Sequence, residues 1–268
     1  MSKRQILLTN DDGIRSPGLW AAAQVLSALG FVTVAAPLEQ SSGMGRSLPA
    51  DSDGIIREIK MQVNGQEWRV YAVGGSPAQA VQHGILEILP CRPDLVVSGI
   101  NYGENVGTGI TISGTVGAAM EAASMEIPAL AVSLETDQEH HRSYSTEVDF
   151  STAAFFTAYF ARLLLEKRFP KDVDLLKVDV PNTATPHTPW RMTRLSRQRY
   201  YEPVAPQRSS WEIPGKVGYC NGASLVNEPE DTDVYVLRKQ RQVSVTPLSL
   251  DMTARVDFSE LERLLRDA

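Results

Sequence analysis

Short apolar runs alternate with segments of helical periodicity over the first 180 residues or so, and this alternation restricts the fold more than any other feature. Residues 5–9 read as a buried strand. Ser16-Pro17 supplies an N-cap and a proline at the first helical position, Leu19, Trp20, Ala23, Leu26 and Leu29 recur at helical spacing, and Gly30 supplies a stop. Residues 31–35 form the next strand, ended by Pro37. A hairpin pairs 54–63 with 68–73 through a turn at Asn64-Gly65. Ser76-Pro77 opens a helix to about residue 89, 95–98 is a strand, and 113–125 is a helix. A strand in 128–134, an amphipathic helix over 151–169 and a strand at 175–180 complete the series.

Strands separated by helices imply parallel βαβ units covered on both faces. The expectation is a three-layer, Rossmann-like α/β core with a mostly parallel sheet over residues 1–181. Residues 182–268 mix proline, arginine, aromatics and short alternating runs such as Gln242-Val243-Ser244-Val245-Thr246. They read as a β-rich extension, ending in a helix at about 258–266 and too sparsely apolar for a core of its own. One domain of 268 residues is expected, its extension packing on the core or exchanging with another subunit.

Composition excludes several classes of function. Lys and Arg number 26 against 32 Asp and Glu, and a net charge of −6 argues against a basic surface for a nucleic-acid duplex. No apolar run approaches the ~18 residues that span a bilayer, so no membrane partner is expected. Cys91 and Cys220 lie far apart without a CxxC partner, which removes local support for zinc or redox chemistry and favours a reduced, cytoplasmic setting. His140-His141 follows the polar stretch 135–139 and reads as a solvated loop.

Three loops that follow strands carry the candidate chemistry. The first is Thr9-Asn10-Asp11-Asp12-Gly13, placed where open α/β sheets bind ligands. Adjacent carboxylates resist burial unless a cation or protons compensate. They converge only if the strand has ended, and Gly13 offers the turn; a plain Asx-turn or helix cap explains the same residues. The second, Pro37 to Ser47, contains Ser42 and Gly43, whose hydroxyl and open backbone suit a metal or an anion, although a surface loop has the same composition. The third runs from Ser98-Gly99-Ile100-Asn101 through Gly103, Asn105, Gly107 and Gly109 to Ser113-Gly114-Thr115-Val116-Gly117. Six of the chain's 19 glycines fall there, between a strand and a helix start, an arrangement that presents free N–H groups to phosphate. A glycine-rich turn for close helix packing is the plainer alternative. Asp11, Asp12, Ser42 and Asn101 together offer only hard oxygen donors, which favour Mg²⁺ or Mn²⁺ over zinc. A metal beside a phosphate-binding helix end describes a phosphoester hydrolase.

These motifs, with Ile6-Leu7-Leu8 before them and Ile14 after Gly13, resemble the SurE survival-protein family. The resemblance continues in Arg194-Leu195-Ser196-Arg197-Gln198-Arg199-Tyr200 and Val243-Ser244-Val245-Thr246-Pro247-Leu248, and so spans nearly the whole chain. It implies a metal-dependent 5'/3'-nucleotidase with acid-phosphatase-like and sometimes exopolyphosphatase activity, and one divalent metal per subunit held by Asp11, Asp12, Ser42 and Asn101. It further implies that Ser113, Gly114 and Thr115 lie near the phosphate, with Asn10 and Gly43 beside them, and that a homodimer or homotetramer forms through the C-terminal extension. The chain departs from the family pattern at Gln79-Ala80, where Asp-Cys is usual, and at Ile112, where an aromatic is usual.

The expected reaction is attack of a metal-activated water on a phosphate monoester, with Asp11 or Asp12 accepting the proton. A phosphoaspartyl route through either aspartate and a non-catalytic nucleotide sensor are the alternatives. A dinucleotide oxidoreductase is disfavoured, since the first strand leads into Asn-Asp-Asp-Gly rather than GxGxxG. Arginines 191, 194, 197, 199 and 208 are candidates for an anion strip, and Trp190, Tyr200, Tyr201 and Trp211 for a base-stacking platform; salt bridges and an intersubunit core account for them equally simply.

Overall fold

The computed structural model describes residues 4–63, 65–141, 143–222 and 225–266. The chain runs β1 (Arg4–Thr9), α1 (Pro17–Leu26), β2 (Gly30–Pro37), β3 (Ile56–Val63), β4 (Gln66–Val73), α2 (Pro77–His83), β5 (Leu95–Tyr102), α3 (Gly114–Ser124), β6 (Ala129–Leu134), α4 (Ser151–Glu166) and β7 (Leu175–Val180). Beyond these lie β8 (Trp190–Met192), β9 (Tyr201–Val204), β10 (Gly218–Asn221), α5 (Asp233–Arg238), β11 (Val243–Leu248) and α6 (Phe258–Arg266). A nine-stranded sheet has the order β3-β4-β2-β1-β5-β6-β7-β11-β8. Its centre, β4 to β7, is parallel, and the β3–β4 and β7–β11 pairs are antiparallel.

Both faces of β1, β5 and β6 are buried over most of their length, which is why they read as continuous apolar runs. Ile6 and Leu8 of β1 point to the layer built with Leu19 and Leu26 of α1 and Phe156 and Phe160 of α4. Leu7 points to the opposite layer, with Val81 of α2 and Val116 and Ala119 of α3. Each fully buried side chain of this kind contributes about 1.5–3 kcal/mol relative to exposure.

Several expectations shift against this frame. Gly30 does not stop α1, which ends at Leu26 with Ser27 following; it begins β2, where a Cβ would come within 2.4 Å of the Arg4 carbonyl oxygen. β5 extends past Ser98 to Tyr102, and α4 ends at Glu166. At the hairpin turn Asn64 lies outside the described residues, while Gly65 has φ +75°. The extension is not peripheral throughout: β11 and β8 lengthen the central sheet, and Val243 and Val245 are part of the main core.

Candidate active site

Thr9 is the last residue of β1, and the Asn10 side chain closes a turn beyond it. The Gly13 N–H donates to Asn10 Oδ1 at 3.2 Å, and Asn10 Nδ2 donates to the Gly13 carbonyl at 3.1 Å. The turn reading and the site reading of this loop therefore hold together, on different residues. With the strand ended, Asp11 and Asp12 leave the alternation of the sheet and lie 4% and 2% exposed. They sit beside β1, which has β2 on one side and β5 on the other; this reversal of strand order is the usual ligand crevice of such sheets.

Each carboxylate is held by neutral donors. The Thr115 hydroxyl donates to Asp11 Oδ1. The Tyr102 N–H donates to Asp12 Oδ2 at 3.2 Å, and Gln40 Nε2 donates to Asp12 Oδ1 at 3.1 Å. Burial pushes both carboxyls above their ordinary range, and the charge of Asp11 pushes Asp12 further; among the described residues hydrogen bonds provide the offset.

Asn101 reaches this crevice because the pairing of β5 with β6 shifts register between Ser98 and Asn101. An irregularity of this kind re-aims the side chains beyond it. Asn101 Nδ2 donates to the carbonyls of Tyr102 and Gly103 at 3.1 and 2.7 Å, which leaves Oδ1 as the end open to a cation. The Ser42 loop is tied to the same place: the Ser41 N–H donates to the Asp11 carbonyl at 2.7 Å and the Gly45 N–H to the Ile112 carbonyl at 3.0 Å. Arg46 binds the buried Glu121 of α3 at 2.7 Å, and Gly43 has φ +81°.

A cavity of about 570 Å³ opens here, lined by Asp11, Ser42, Gly43, Asn101 and Ser113 among others. Ser113 Oγ accepts the Val116 N–H at 3.1 Å as the cap of α3 and keeps its own proton to donate. Asn10, Gly114 and Thr115 have other placements. Asn10 is spent on its turn, Thr115 on Asp11, and a Cβ at Gly114 would lie 2.7 Å from the Asp11 Cβ. Gly114→Ala is accordingly expected to displace Asp11 with the sheet intact and to weaken by about tenfold or more the hold on a divalent cation that Asp11 would provide, which Mn²⁺ titration alongside circular dichroism would read.

The remaining wall was legible in the sequence only at Arg199 and Tyr201. His141, expected in a solvated loop, is half-buried and lines the cavity with Tyr201 and Tyr219. The His141 and Tyr219 rings are stacked at 6.2 Å and 14°, and Tyr201 meets Tyr219 edge-on at 5.4 Å. Gln40 Nε2, already on Asp12, also donates to the His141 carbonyl at 2.8 Å and ties this wall to the carboxylates. Of the four aromatics considered for a platform, only Tyr201 lines the cavity; Tyr200 is buried, Trp190 packs on Phe160, and Trp211 is 90% exposed. Of the five arginines only Arg199 lines it, and Arg194 pairs with Asp231.

The departures from the family pattern have separate consequences. Gln79 completes the cap of α2, accepting the Ser76 N–H at 2.9 Å and the Ser52 hydroxyl at 2.7 Å, and donates to the Pro49 carbonyl at 2.9 Å. It is a brace for residues 49–52 and not a cavity residue, and Ala80 is core. Ile112 does line the cavity and is 59% exposed.

The donor set suits a divalent cation. Two buried carboxylates have no basic partner among the described residues, an amide oxygen is left open, a serine stands on the same cavity, and every donor is a hard oxygen.

The model of the family described as Survival protein SurE matches residues 6–202. The chain is 41% identical to 5'-nucleotidase SurE of Methanocella arvoryzae over 268 residues, covering 98% of each. It is 44% identical to 5'-nucleotidase SurE of Thermococcus gammatolerans, covering 97% of this chain and 96% of that one. The crystal structure of SurE protein from Aquifex aeolicus superposes with a TM-score of 0.75 at 32% identity, covering 97% of this chain and 99% of the other.

Proposed function

The chain belongs to the SurE survival-protein family, and from that premise we propose that it is a divalent-metal-dependent phosphomonoesterase hydrolysing nucleoside 5'- or 3'-monophosphates to nucleoside and phosphate. The observation that carries this reading is the buried Asp11–Asp12 pair, with no basic side chain bound to it among the described residues, beside a cavity of nucleotide size. The names of the relatives support the 5' activity.

Asp11, Asp12, Ser42 and Asn101 would hold one Mg²⁺ or Mn²⁺ per subunit. When bound, the cation supplies Lewis acidity at a phosphoryl oxygen and makes water acidic enough to attack near neutral pH. The Ser113 hydroxyl donates to a phosphoryl oxygen, and the left-handed Gly43 allows the backbone to approach the anion. One carboxylate of the Asp11–Asp12 pair would accept the proton of the attacking water. Tyr201, Tyr219 and His141 give the nucleoside an aromatic wall.

We also place the protein in the cytoplasm, on its two free and exposed cysteines. Among the described residues no helix is long and apolar enough to cross a membrane. A homodimer or homotetramer is supported by the exposed apolar side chains Met252, Val256, Phe258, Leu261, Leu264 and Leu265 of the C-terminal segment.

The decisive assay is phosphate release from 5'- and 3'-nucleotides, a generic phosphomonoester and polyphosphate, with and without Mg²⁺ or Mn²⁺. Release from a nucleotide that disappears with a chelator and returns with the metal is expected. Equal turnover without metal, or none with it, rejects the reading.

A further inference from the structure

We infer that the buried cluster Lys177–Asp179–Asp233 positions the glycine-rich loop of the cavity, so that Asp179 and Asp233 act on substrate binding through the backbone of Asn105 and Gly107. The inference rests on the nucleotidase reading only for its kinetic arm.

All three side chains are fully buried, at 0% exposure. Lys177 and Asp179, two apart on β7, face the same side of the sheet. Asp233 comes from the first turn of α5, well beyond the core in sequence. Lys177 Nζ binds Asp179 and donates to Asp233 Oδ2 at 3.2 Å. One carboxylate would neutralise the lysine; the second leaves the cluster with a negative charge in excess, an arrangement that burial disfavours unless more donors arrive.

Those donors are cavity-loop amides. Asn105 N–H donates to Asp179 Oδ1 at 2.8 Å, and Gly107 N–H to Asp233 Oδ2 at 2.9 Å. Asp233 Oδ1 accepts the Ser196 N–H at 2.8 Å, which fixes the segment on the loop's other side. There the Gln198 carbonyl accepts the Thr108 N–H at 3.3 Å, and a Cβ at Gly107 would come within 2.7 Å of that same oxygen. The loop is thus gripped between two backbone supports that share one carboxylate. Asn105, Val106 and Thr108 line the cavity directly. A shift of the grip moves the cavity wall without touching Asp11 or Asp12.

The test compares Asp233→Ala and Asp233→Asn with the unaltered chain, by amide hydrogen exchange and by steady-state kinetics on a nucleoside 5'-monophosphate with Mn²⁺. In Asp233→Ala, protection over residues 103–109 is expected to fall at least about tenfold more than in β1 and β5, and KM to rise by about tenfold with a smaller change in kcat. Asp233→Asn keeps an acceptor oxygen and is expected to restore part of both; where the alanine variant does not fold, the asparagine variant carries the same comparison at lower amplitude. Protection lost evenly across the sheet, with KM unchanged, assigns the cluster to stability alone and overturns the inference. If the unaltered chain releases phosphate from no nucleotide, the nucleotidase reading fails separately, and the exchange pattern alone decides the positioning role.

Discussion

Replacing Asp12 with asparagine is expected to lower metal-dependent phosphate release by about a hundredfold or more, while the metal-free protein melts no lower than the unaltered chain. The two halves have one cause. Asp11 and Asp12 are buried together, and the like charge of Asp11 is a main reason that the Asp12 carboxyl is pushed up. Confining both charges therefore costs stability unless a cation or a proton is present. An amide removes the repulsion, and its oxygen still accepts the Tyr102 N–H that now reaches Asp12 Oδ2 at 3.2 Å. Mn²⁺ is expected to raise the Tm of the unaltered chain and not that of the variant, because ligand binding to the native state is what generates such a rise. Scanning calorimetry with and without Mn²⁺, beside the phosphate assay, reads both halves. An Asp12→Asn protein with unreduced turnover would remove this carboxylate from the chemistry.

The second large effect is on stability. Lys177→Met should lower the unfolding free energy by about 3–5 kcal/mol, because it strands Asp179 and Asp233 in the interior without their cation. For a chain of this size that is a fall in Tm of roughly 10 °C. Adding Asp179→Asn to Lys177→Met should recover part of the loss by removing one of the stranded charges. The double-mutant cycle measures the coupling, and a Lys177→Met protein as stable as the unaltered one would show that the carboxylates simply take up protons at no cost.

The strands and helices up to residue 180 were legible because a buried parallel strand writes itself as an apolar run and each helix carries its proline, serine or glycine punctuation. The pairing of Asp11 with Asp12 in a crevice was legible for the same reason: two adjacent carboxylates after an apolar strand are costly and need a purpose. Asn101, expected as a metal ligand, lies on the cavity, yet its strand extends further than expected, since the register shift between Ser98 and Asn101 leaves no mark in hydrophobic periodicity. Lys177 and Asp179 did leave a mark that went unread. Two charges spaced by two inside an apolar strand must point the same way into a buried layer, which calls for a partner elsewhere in the chain. His141 and Tyr219 were hidden by distance: they lie 78 residues apart, and only the fold stacks them.

The placement of β11 against β7 bears on how the chain is made. Synthesis delivers β7 to completion well before Val243–Leu248 exists, and until then one side of Leu175–Val180 offers unpaired backbone groups on an otherwise finished sheet. A long apolar edge invites pairing with a neighbouring chain, and on a ribosome-bound intermediate that exposure lasts until the last quarter of the polypeptide emerges. Lys177 and Asp179, which later meet Asp233 in the interior, lie on that same strand while it waits, and charges on an open edge are a known guard against such pairing.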